Sequence, residues 1–181
     1  MVLSLFFVFA LVCCASQKES IIVGGEYDAK KDATEYFVFP YGSVSLPGKW
    51  DKVSYNAESK QQFFTNKDSI IVAIAFGRSR SYEFNKDGSL KGFDFLKSFQ
   101  EWDSKYFKES NALDWKILET DNINNYLIYR IYGIKDESKF DSYFLMAEKN
   151  GSVSSFSVYT TNRWSESEKI MFLKNLFLQN K

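Results

Sequence analysis

The residues that could do chemistry in this chain are few in kind and unevenly placed. Its 181 residues include no histidine, and both cysteines, Cys13 and Cys14, stand side by side near the start. A Ser-His-Asp or Cys-His catalytic arrangement and a zinc site with histidine or cysteine ligands are therefore excluded for the remainder of the chain. Carboxylates, Ser-Lys pairs and aromatic surfaces are the groups left to carry a function.

The two cysteines follow an apolar run. Residues 2–12, VLSLFFVFALV, contain a single polar residue, Ser4. With a rise of about 1.5 Å per residue, a helix of this length cannot cross a hydrocarbon core of about 30 Å. The length is typical of the apolar region of a secretory signal peptide, although no charged residue before Lys18 supplies the usual basic start.

The segment Leu11-Val12-Cys13-Cys14 resembles the end of the signal peptide in bacterial lipoprotein precursors. The resemblance implies lipidation of Cys14 and a diacyl or triacyl anchor that holds the protein on a membrane. Cys13 as the acceptor fits less well, because Val12 is bulky for the position next to the cut. Cleavage after Ala15 by an ordinary signal peptidase, which would leave a secreted protein without cysteine, is the alternative.

Composition bounds the partners and the number of domains. Lys plus Arg and Asp plus Glu number 23 each, so the net charge creates no field that would attract nucleic acid. No phosphate-binding glycine loop is visible, and we expect no cofactor and no metal. We expect a signal peptide at 1–13, a polar tether at 14–35 and one domain at 36–181, placed in the bacterial cell envelope on its periplasmic or surface face.

Charged and polar turns offer weaker candidate sites. The segment 85–89, NKDGS, lacks the closing glutamate of a calcium loop, and the polar turn 121–125 is better explained as solvated loop residues. The carboxylate of Glu119, just before that turn, is explained in the same way. Arg78 and Arg80 could bind an anion through bidentate hydrogen bonds. Their position is better explained as that of solvent-exposed residues at the end of a strand.

The sequence predicts two amphipathic helices that pack against the rest of the fold. Residues 92–110, GFDFLKSFQEWDSKYFKES, carry large apolar side chains at helical spacing: Phe95, Phe99, Trp102 and Tyr106. A last helix opens with a capping box formed by Ser165 and Glu168. Its apolar face consists of Ile170, Leu173, Leu176 and Phe177. Four side chains are expected to be buried against one face, or opposite ends, of a single sheet: Phe99, Trp102, Leu173 and Phe177.

Strand-like segments surround these helices. Residues 69–77, SIIVAIAFG, form a nearly continuous apolar run, typical of a strand covered on both faces. The clearest hairpin joins 142–148 to 152–160 across an Asn-Gly turn. Further strands are expected at 36–39, 61–65, 114–120 and 126–134. The order predicts an α+β fold, a mainly antiparallel sheet of about six to seven strands packed with two amphipathic helices.

This order of elements resembles the PsbP-like fold family. The resemblance is carried by residues 44–50, VSLPGKW, by residues 63–68, FFTNKD, and by the two helices. It implies a PsbP-like sandwich over residues 36–181 and a role in binding proteins or assisting assemblies. The family has no shared catalytic motif, so the resemblance implies no catalytic residue in this chain.

Two functions are compatible with these features. The first is a lipid-anchored binding or accessory module for another macromolecule, most simply a protein of the cell envelope. Its contact surface should contain exposed aromatic side chains, for which the polar-flanked Tyr55, Tyr82 and Tyr132 are the candidates. The alternative is a small envelope hydrolase that uses carboxylates or a Ser-Lys pair.

Overall fold

The structure is a computed structural model that describes residues 20–179, without the side chains of residues 110 and 111. The signal peptide at 1–13, Cys14 and the first residues of the expected tether lie outside this range. The helices are α1 (Gly92–Asn111) and α2 (Glu166–Gln179). The strands are β1 (Ile22–Gly24), β2 (Tyr27–Asp28), β3 (Ala33–Phe39), β4 (Gly42–Pro47), β5 (Asp51–Asn56), β6 (Gln61–Thr65), β7 (Ile71–Arg78), β8 (Asp114–Asp121), β9 (Tyr126–Lys135), β10 (Ser138–Lys149) and β11 (Ser152–Val158).

Most strands belong to one antiparallel sheet. Seven strands follow the order β5-β6-β7-β11-β10-β9-β8. The hairpin between β10 and β11 turns at Asn150 and Gly151, both with positive φ, as the Asn-Gly signal predicts. The β9–β10 hairpin makes the same kind of two-residue turn at Asp136 and Glu137 (φ 49° and 62°). The predicted α+β fold with a mainly antiparallel sheet and two helices is confirmed.

A second, four-stranded sheet is built from the start of the described chain. Strand β3 pairs with β1 and β2 along one side and with β4 along the other. Thr34 is buried, and its hydroxyl accepts the Trp50 backbone N–H at 2.9 Å and donates to the Gly48 carbonyl at 3.0 Å. The folded domain therefore includes residues 22–35, and the expected boundary at residue 36 is too late.

The two helices lie on opposite faces of the seven-stranded sheet. On one face α1 packs against β8, β9 and β10, and the core there contains Phe99 and Phe144. On the other face α2 and the four-stranded sheet enclose a second core that contains Leu173 and Leu145. Because successive strand residues point to opposite faces, the neighbours Phe144 and Leu145 serve different cores. The expectation that both helices pack on one face, or at opposite ends, is wrong.

Burial of the four helix residues divides them into two pairs. Phe99 and Leu173 are buried, as expected. Trp102 is 38% exposed at the border of the apolar face of α1, where its ring contacts Phe84. Phe177 is partly buried against the Tyr126 ring. Within residues 20–179, neither helix combines the length and apolar character needed to cross a membrane.

The helices begin in different ways. In α2 the predicted capping box is present: the Ser165 backbone N–H donates to Glu168 Oε2 at 2.7 Å, and the Glu168 N–H donates to Ser165 Oγ at 3.3 Å. Lys91 occupies the N-cap position of α1, but its side chain makes no capping hydrogen bond. Instead the buried carboxylate of Glu148, on β10, accepts the N–H groups of Gly92 and Gly151, the latter at 2.6 Å.

Candidate binding surface

Tyr55 lies on β5, at one edge of the seven-stranded sheet. Every residue of β5 is exposed, and both Val53 and Tyr55 have 56% of their surface accessible. Hydrogen bonds join β5 to β6 on one side, while the described residues place no strand of the seven-stranded sheet on the other. An open strand edge with exposed apolar side chains is a common site of protein contact.

A β-bulge changes what this edge can bind. The pairing with β6 passes from Lys52 opposite Phe64 to Ser54 opposite Phe63, which leaves Val53 as the extra residue. Bulges bend a strand and interrupt its regular ladder, so they discourage addition of a long partner strand. We therefore expect side chains, more than backbone bonds, to supply recognition here.

Contacts with the four-stranded sheet hold β5 in place. The Lys52 ammonium donates to the Gly25 carbonyl at 2.8 Å and lies 5.6 Å from the centroid of the Tyr36 ring. Burial, and to a smaller extent the neighbouring Tyr55 hydroxyl, raises the pKa of Tyr36. The exposed side chains of Lys52, Val53 and Tyr55 are called the β5 surface below.

A second exposed apolar area lies next to Gly25, on and around β1. Ile21, Ile22, Val23 and Phe39 are each at least half exposed. Ile22 is paired with Phe39 in the β1–β3 register, and the Phe39 and Phe37 ring centroids are 5.0 Å apart. These four residues are called the N-terminal patch; within it Ile22 and Phe39 share one face of the sheet, and Val23 points to the other. The bond from Lys52 to Gly25 places this patch on the same side of the domain as the β5 surface.

Tyr82 belongs to the α1 core. It joins two short 3₁₀ turns and packs edge-on against Phe95, Phe99 and Trp102. Its hydroxyl lies 4.0 Å from the Met146 sulfur, and burial raises its pKa. Tyr82 is therefore partly buried rather than exposed as expected, because its ring turns inward onto α1. Its polar sequence neighbours gave no sign of this.

Tyr132 is partly exposed and lies on β9, beneath a cation. The Arg130 guanidinium is 4.9 Å from the centroid of its ring. Five strand spacings of about 4.8 Å separate β5 from β9, so Tyr55 and Tyr132 are roughly 24 Å apart across the sheet. The three tyrosines do not form one surface, and Tyr55 is the candidate that the structure leaves most exposed.

Arg130 is the centre of a charged cluster that the sequence did not reveal. Its Nε and Nη2 donate to the two oxygens of Asp141 at 2.7 and 3.0 Å, and Nη1 lies 3.5 Å from Glu166 Oε2. The Tyr143 hydroxyl donates to the same Glu166 oxygen at 2.8 Å. Burial opposes ionisation of Asp141, but Arg130 outweighs it and holds the pKa of that carboxyl below its usual value.

Lys169 completes the cluster from the first turns of α2. It is buried, and its ammonium lies 4.7 Å from the centroid of the Tyr143 ring. Burial lowers its pKa, although Asp141 opposes this effect. A lysine with a lowered pKa can serve as a base or nucleophile. Here, however, it is covered, and the arrangement fastens the start of α2 to β9 and β10.

A second buried carboxyl, Asp103, lies on α1. The Trp115 indole N–H donates to Asp103 Oδ2 at 2.8 Å, and the Tyr129 hydroxyl is a further donor. Burial raises the pKa of Asp103 to about 7, because these neutral donors offset only part of the desolvation. Such a pKa suits acid–base chemistry. The group is nevertheless enclosed by aromatic rings of the α1 core, and a substrate would have to displace them.

The polar turns use their oxygens internally. Asp87 accepts the N–H and hydroxyl of Ser89, and the Asn85 side chain is buried against the backbone of residue 90. Asp121 accepts the N–H groups of residues 123 and 124. Glu119 accepts the Tyr126 hydroxyl and the Lys174 ammonium at 2.7 and 2.6 Å. Between residues 20 and 179, no group of three or more acidic side chains is placed to hold a metal ion.

Comparison with known proteins gives a likeness of structure only. No protein-family model matches the chain, and a search of curated proteins finds no match. The solution structure of cyanobacterial PsbP (CyanoP) from Synechocystis sp. PCC 6803 superposes with a TM-score of 0.53, covering 94% of this chain and 98% of that one. The chain has a PsbP-like fold. At 9% identity the likeness shows the fold alone.

A second solved structure is less similar. A crystal structure from Bacteroides thetaiotaomicron VPI-5482 matches with a TM-score of 0.42 and 14% identity. The match covers 71% of this chain and 41% of that one.

Proposed function

We propose that this PsbP-like chain is a lipid-anchored protein of the bacterial cell envelope whose domain binds another envelope protein. Lipidation at Cys14 is supported by the segment Leu11-Val12-Cys13-Cys14. Binding is supported by the β5 surface, where Tyr55 is exposed at the open edge of the large sheet. The exposed Tyr55 edge is the observation that carries the proposal.

Tyrosine suits such a surface for energetic reasons. Its ring offers a large contact area, and fixing it costs little conformational entropy because only two side-chain torsions are lost. The strand that carries Tyr55 is itself held, because Lys52 on the same strand contacts the Gly25 carbonyl and the ring of the buried Tyr36. A lipid anchor would also keep the domain close to its partner, so a modest intrinsic affinity is sufficient.

The binding half of the proposal can be tested with a matched pair of tyrosines. Tyr55 on β5 and Tyr106 on α1 are 56% and 53% exposed, but they lie on different parts of the domain. The full acylated chain, purified from membranes in mild detergent, is expected to retain a partner protein that binds saturably. Tyr55→Ala should weaken this binding at least about tenfold, which corresponds to about 1.4 kcal/mol.

Tyr106→Ala should bind the partner like the unchanged chain, and both variants should unfold at the same temperature. Equal retention by Tyr55→Ala and the unchanged chain would contradict the assignment of the β5 surface. A partner lost only in Tyr106→Ala would move the contact to α1.

The location half has a separate test. The intact mass of the membrane-bound protein should equal that of a chain starting at Cys14 plus its acyl groups. Cys14→Ser should release the protein from the membrane or stall its processing. A soluble product that begins at Ser16 would favour the secreted alternative.

Turnover assays separate the binding module from the hydrolase alternative. The purified protein should show no activity on esters, peptides, glycosides or phosphoesters. Activity that survives repurification and disappears on changing one Asp, Glu, Ser or Lys would favour the hydrolase. Asp103→Asn and Lys169→Met are the first variants to compare, because burial shifts the pKa of both groups.

A further inference from the structure

The N-terminal patch is the exposed apolar surface nearest to the expected lipid. Ile21 lies seven positions after Cys14, and a fully extended chain over seven positions spans at most about 25 Å. If Cys14 carries the anchor, Ile21 cannot move farther than this from the membrane, and Ile22 and Val23 add only one and two residues to that reach. The headgroup layer alone is about 6 Å thick on each side of the hydrocarbon core.

The chemistry of the patch matches a lipid surface. Ile21, Ile22, Val23 and Phe39 are 54%, 61%, 57% and 50% exposed, and none of them carries a charge. Large aliphatic and aromatic side chains partition into the boundary between headgroups and acyl chains. The nearest lysine of the β5 surface, Lys52, is directed to the Gly25 carbonyl and to the Tyr36 ring.

We infer that the N-terminal patch rests on the membrane to which the chain is anchored, with Ile22 and Phe39 in contact with lipid. This inference rests on the proposed lipidation of Cys14. The contact orients the domain: the β1 side of the four-stranded sheet faces the bilayer, and the β8 edge of the seven-stranded sheet points away. Because the four residues of the patch carry no charge, binding needs no excess of anionic lipid.

A fluorophore placed on the patch tests this orientation. A mature chain that begins at acylated Cys14 contains no other cysteine, so a single introduced thiol can be labelled. Ile22→Cys reports on the patch. Ile123→Cys is the matched control, because Ile123 is 92% exposed on the turn between β8 and β9 at the opposite edge of the large sheet. Both acylated chains are labelled with an environment-sensitive dye and reconstituted in phosphatidylethanolamine–phosphatidylglycerol vesicles.

The label at residue 22 should brighten at least about twofold in vesicles and be quenched by nitroxide lipids, as expected for a group at the acyl boundary. The label at residue 123 should do neither, and 1 M NaCl should leave the difference unchanged. Equal emission and equal quenching at the two positions would overturn the inference. Brightening at residue 22 that requires added membrane protein would also overturn it and assign the patch to a protein contact.

The same samples distinguish this inference from the proposed function. Their intact mass reports whether Cys14 is acylated. An acylated chain whose residue 22 stays in water overturns the lipid contact and leaves the anchor in place. If the mass shows no acyl groups, both the proposed anchor and this inference are wrong. Residue 22 could contact lipid while the Tyr55→Ala variant still binds the partner. That result would contradict only the assignment of the β5 surface as the partner's binding site.

Discussion

Each face of the seven-stranded sheet buries a carboxyl group whose pKa is shifted, and the two shifts have opposite directions. On the α2 face Asp141 is 7% exposed and is paired with the Arg130 guanidinium, which keeps its pKa below the usual value. On the α1 face Asp103 is 8% exposed and has only the neutral donors Trp115 and Tyr129, so burial raises its pKa to about 7.

Nearly equal burial with opposite pKa shifts shows that the partner decides the outcome. A cation in contact favours the charged form of a carboxyl, whereas neutral donors offset only part of the desolvation. The stability of the two faces should therefore depend on pH in opposite directions. The α2 face needs an ionised Asp141, and the α1 face is most stable when Asp103 is protonated.

The largest effect is expected from truncating the core of either face. Phe99→Ala on the α1 face should lower the free energy of unfolding by about 3–5 kcal/mol, and Leu173→Ala on the α2 face by about 2–5 kcal/mol. Both side chains are at most 2% exposed. Since the faces share one sheet, each variant should lower a single thermal transition. A variant that left the midpoint unaltered, or split the transition, would break the picture of one cooperative domain.

Breaking the ion pair of the α2 face should come next. Asp141→Ala leaves the Arg130 guanidinium near Lys169 and Lys139 without its main carboxylate, and should cost about 3 kcal/mol at pH 7. Because the folded pKa of Asp141 is lowered, this stability is present above the unfolded pKa of about 4 and is lost as pH falls below it. Urea unfolding at several pH values measures both effects.

The control for this variant is Asp114→Ala, an exposed carboxylate on the neighbouring strand β8. It should change the free energy of unfolding by less than about 0.5 kcal/mol. If Asp114→Ala and Asp141→Ala were equally mild, the contact with Arg130 would contribute nothing to stability.

Removing the charge of Asp103 on the α1 face should raise the free energy of unfolding, whereas removing Asp141 lowers it. The folded pKa of Asp103 is raised, so its contribution is fully present below the unfolded pKa of about 4 and is lost as pH rises through about 7. Asp103→Asn should therefore stabilise the protein by roughly 1–3 kcal/mol at pH 8 and flatten its pH dependence, since one pKa unit corresponds to about 1.4 kcal/mol. The chain has no histidine, so no imidazole titration obscures this range.

Unfolding measured between pH 5 and pH 8 checks this prediction. The unchanged chain should lose stability across the interval, and Asp103→Asn should not. A variant as pH-dependent as the unchanged chain would show that another group titrates, and the contrast between the two faces would fail.

Sequence pattern was sufficient for the parts of the fold that depend on neighbouring residues. The helical stripe through Phe95 and Phe99, the Asn-Gly hairpin and the capping box at Ser165 all involve residues within a few positions of each other. The four-stranded sheet was missed because β1 has only three residues and pairs with residues of β3 that lie 13 to 17 positions further on. Only tertiary contacts, such as Thr34 with Trp50, show that this polar segment is folded.

The candidate site was less predictable for the same reason. Arg130 meets Asp141 only because the β9–β10 hairpin fixes a register in which Arg130 stands opposite Tyr143. Tyr55 and Tyr82 have similarly polar neighbours in sequence, yet one is exposed on an edge strand and the other is enclosed by three aromatic rings. The immediate neighbours do not distinguish them, because the rings that cover Tyr82 belong to α1, which begins ten residues further on.

The smallest effect concerns how the helix of each face begins. The start of α1 depends on Glu148, 56 residues away, whereas α2 is capped by its own Ser165. Ser165→Ala removes the hydroxyl that accepts the Glu168 N–H but keeps the backbone N–H that donates to the Glu168 carboxylate. The loss should be about 1 kcal/mol, typical of an N-cap serine.

Urea unfolding at pH 7 measures this loss, with Asn175→Ala on the exposed side of α2 as the control. The control should not be less stable than the unchanged chain, since alanine has the higher helix propensity. A loss in Ser165→Ala of more than about 2 kcal/mol would exceed what a cap contributes. Glu166 follows Ser165 directly and contacts both Arg130 and Tyr143, so a larger loss would mean that the capping box also positions the charged cluster. The α2 face would then depend on local and distant contacts together, as the α1 face does through Glu148.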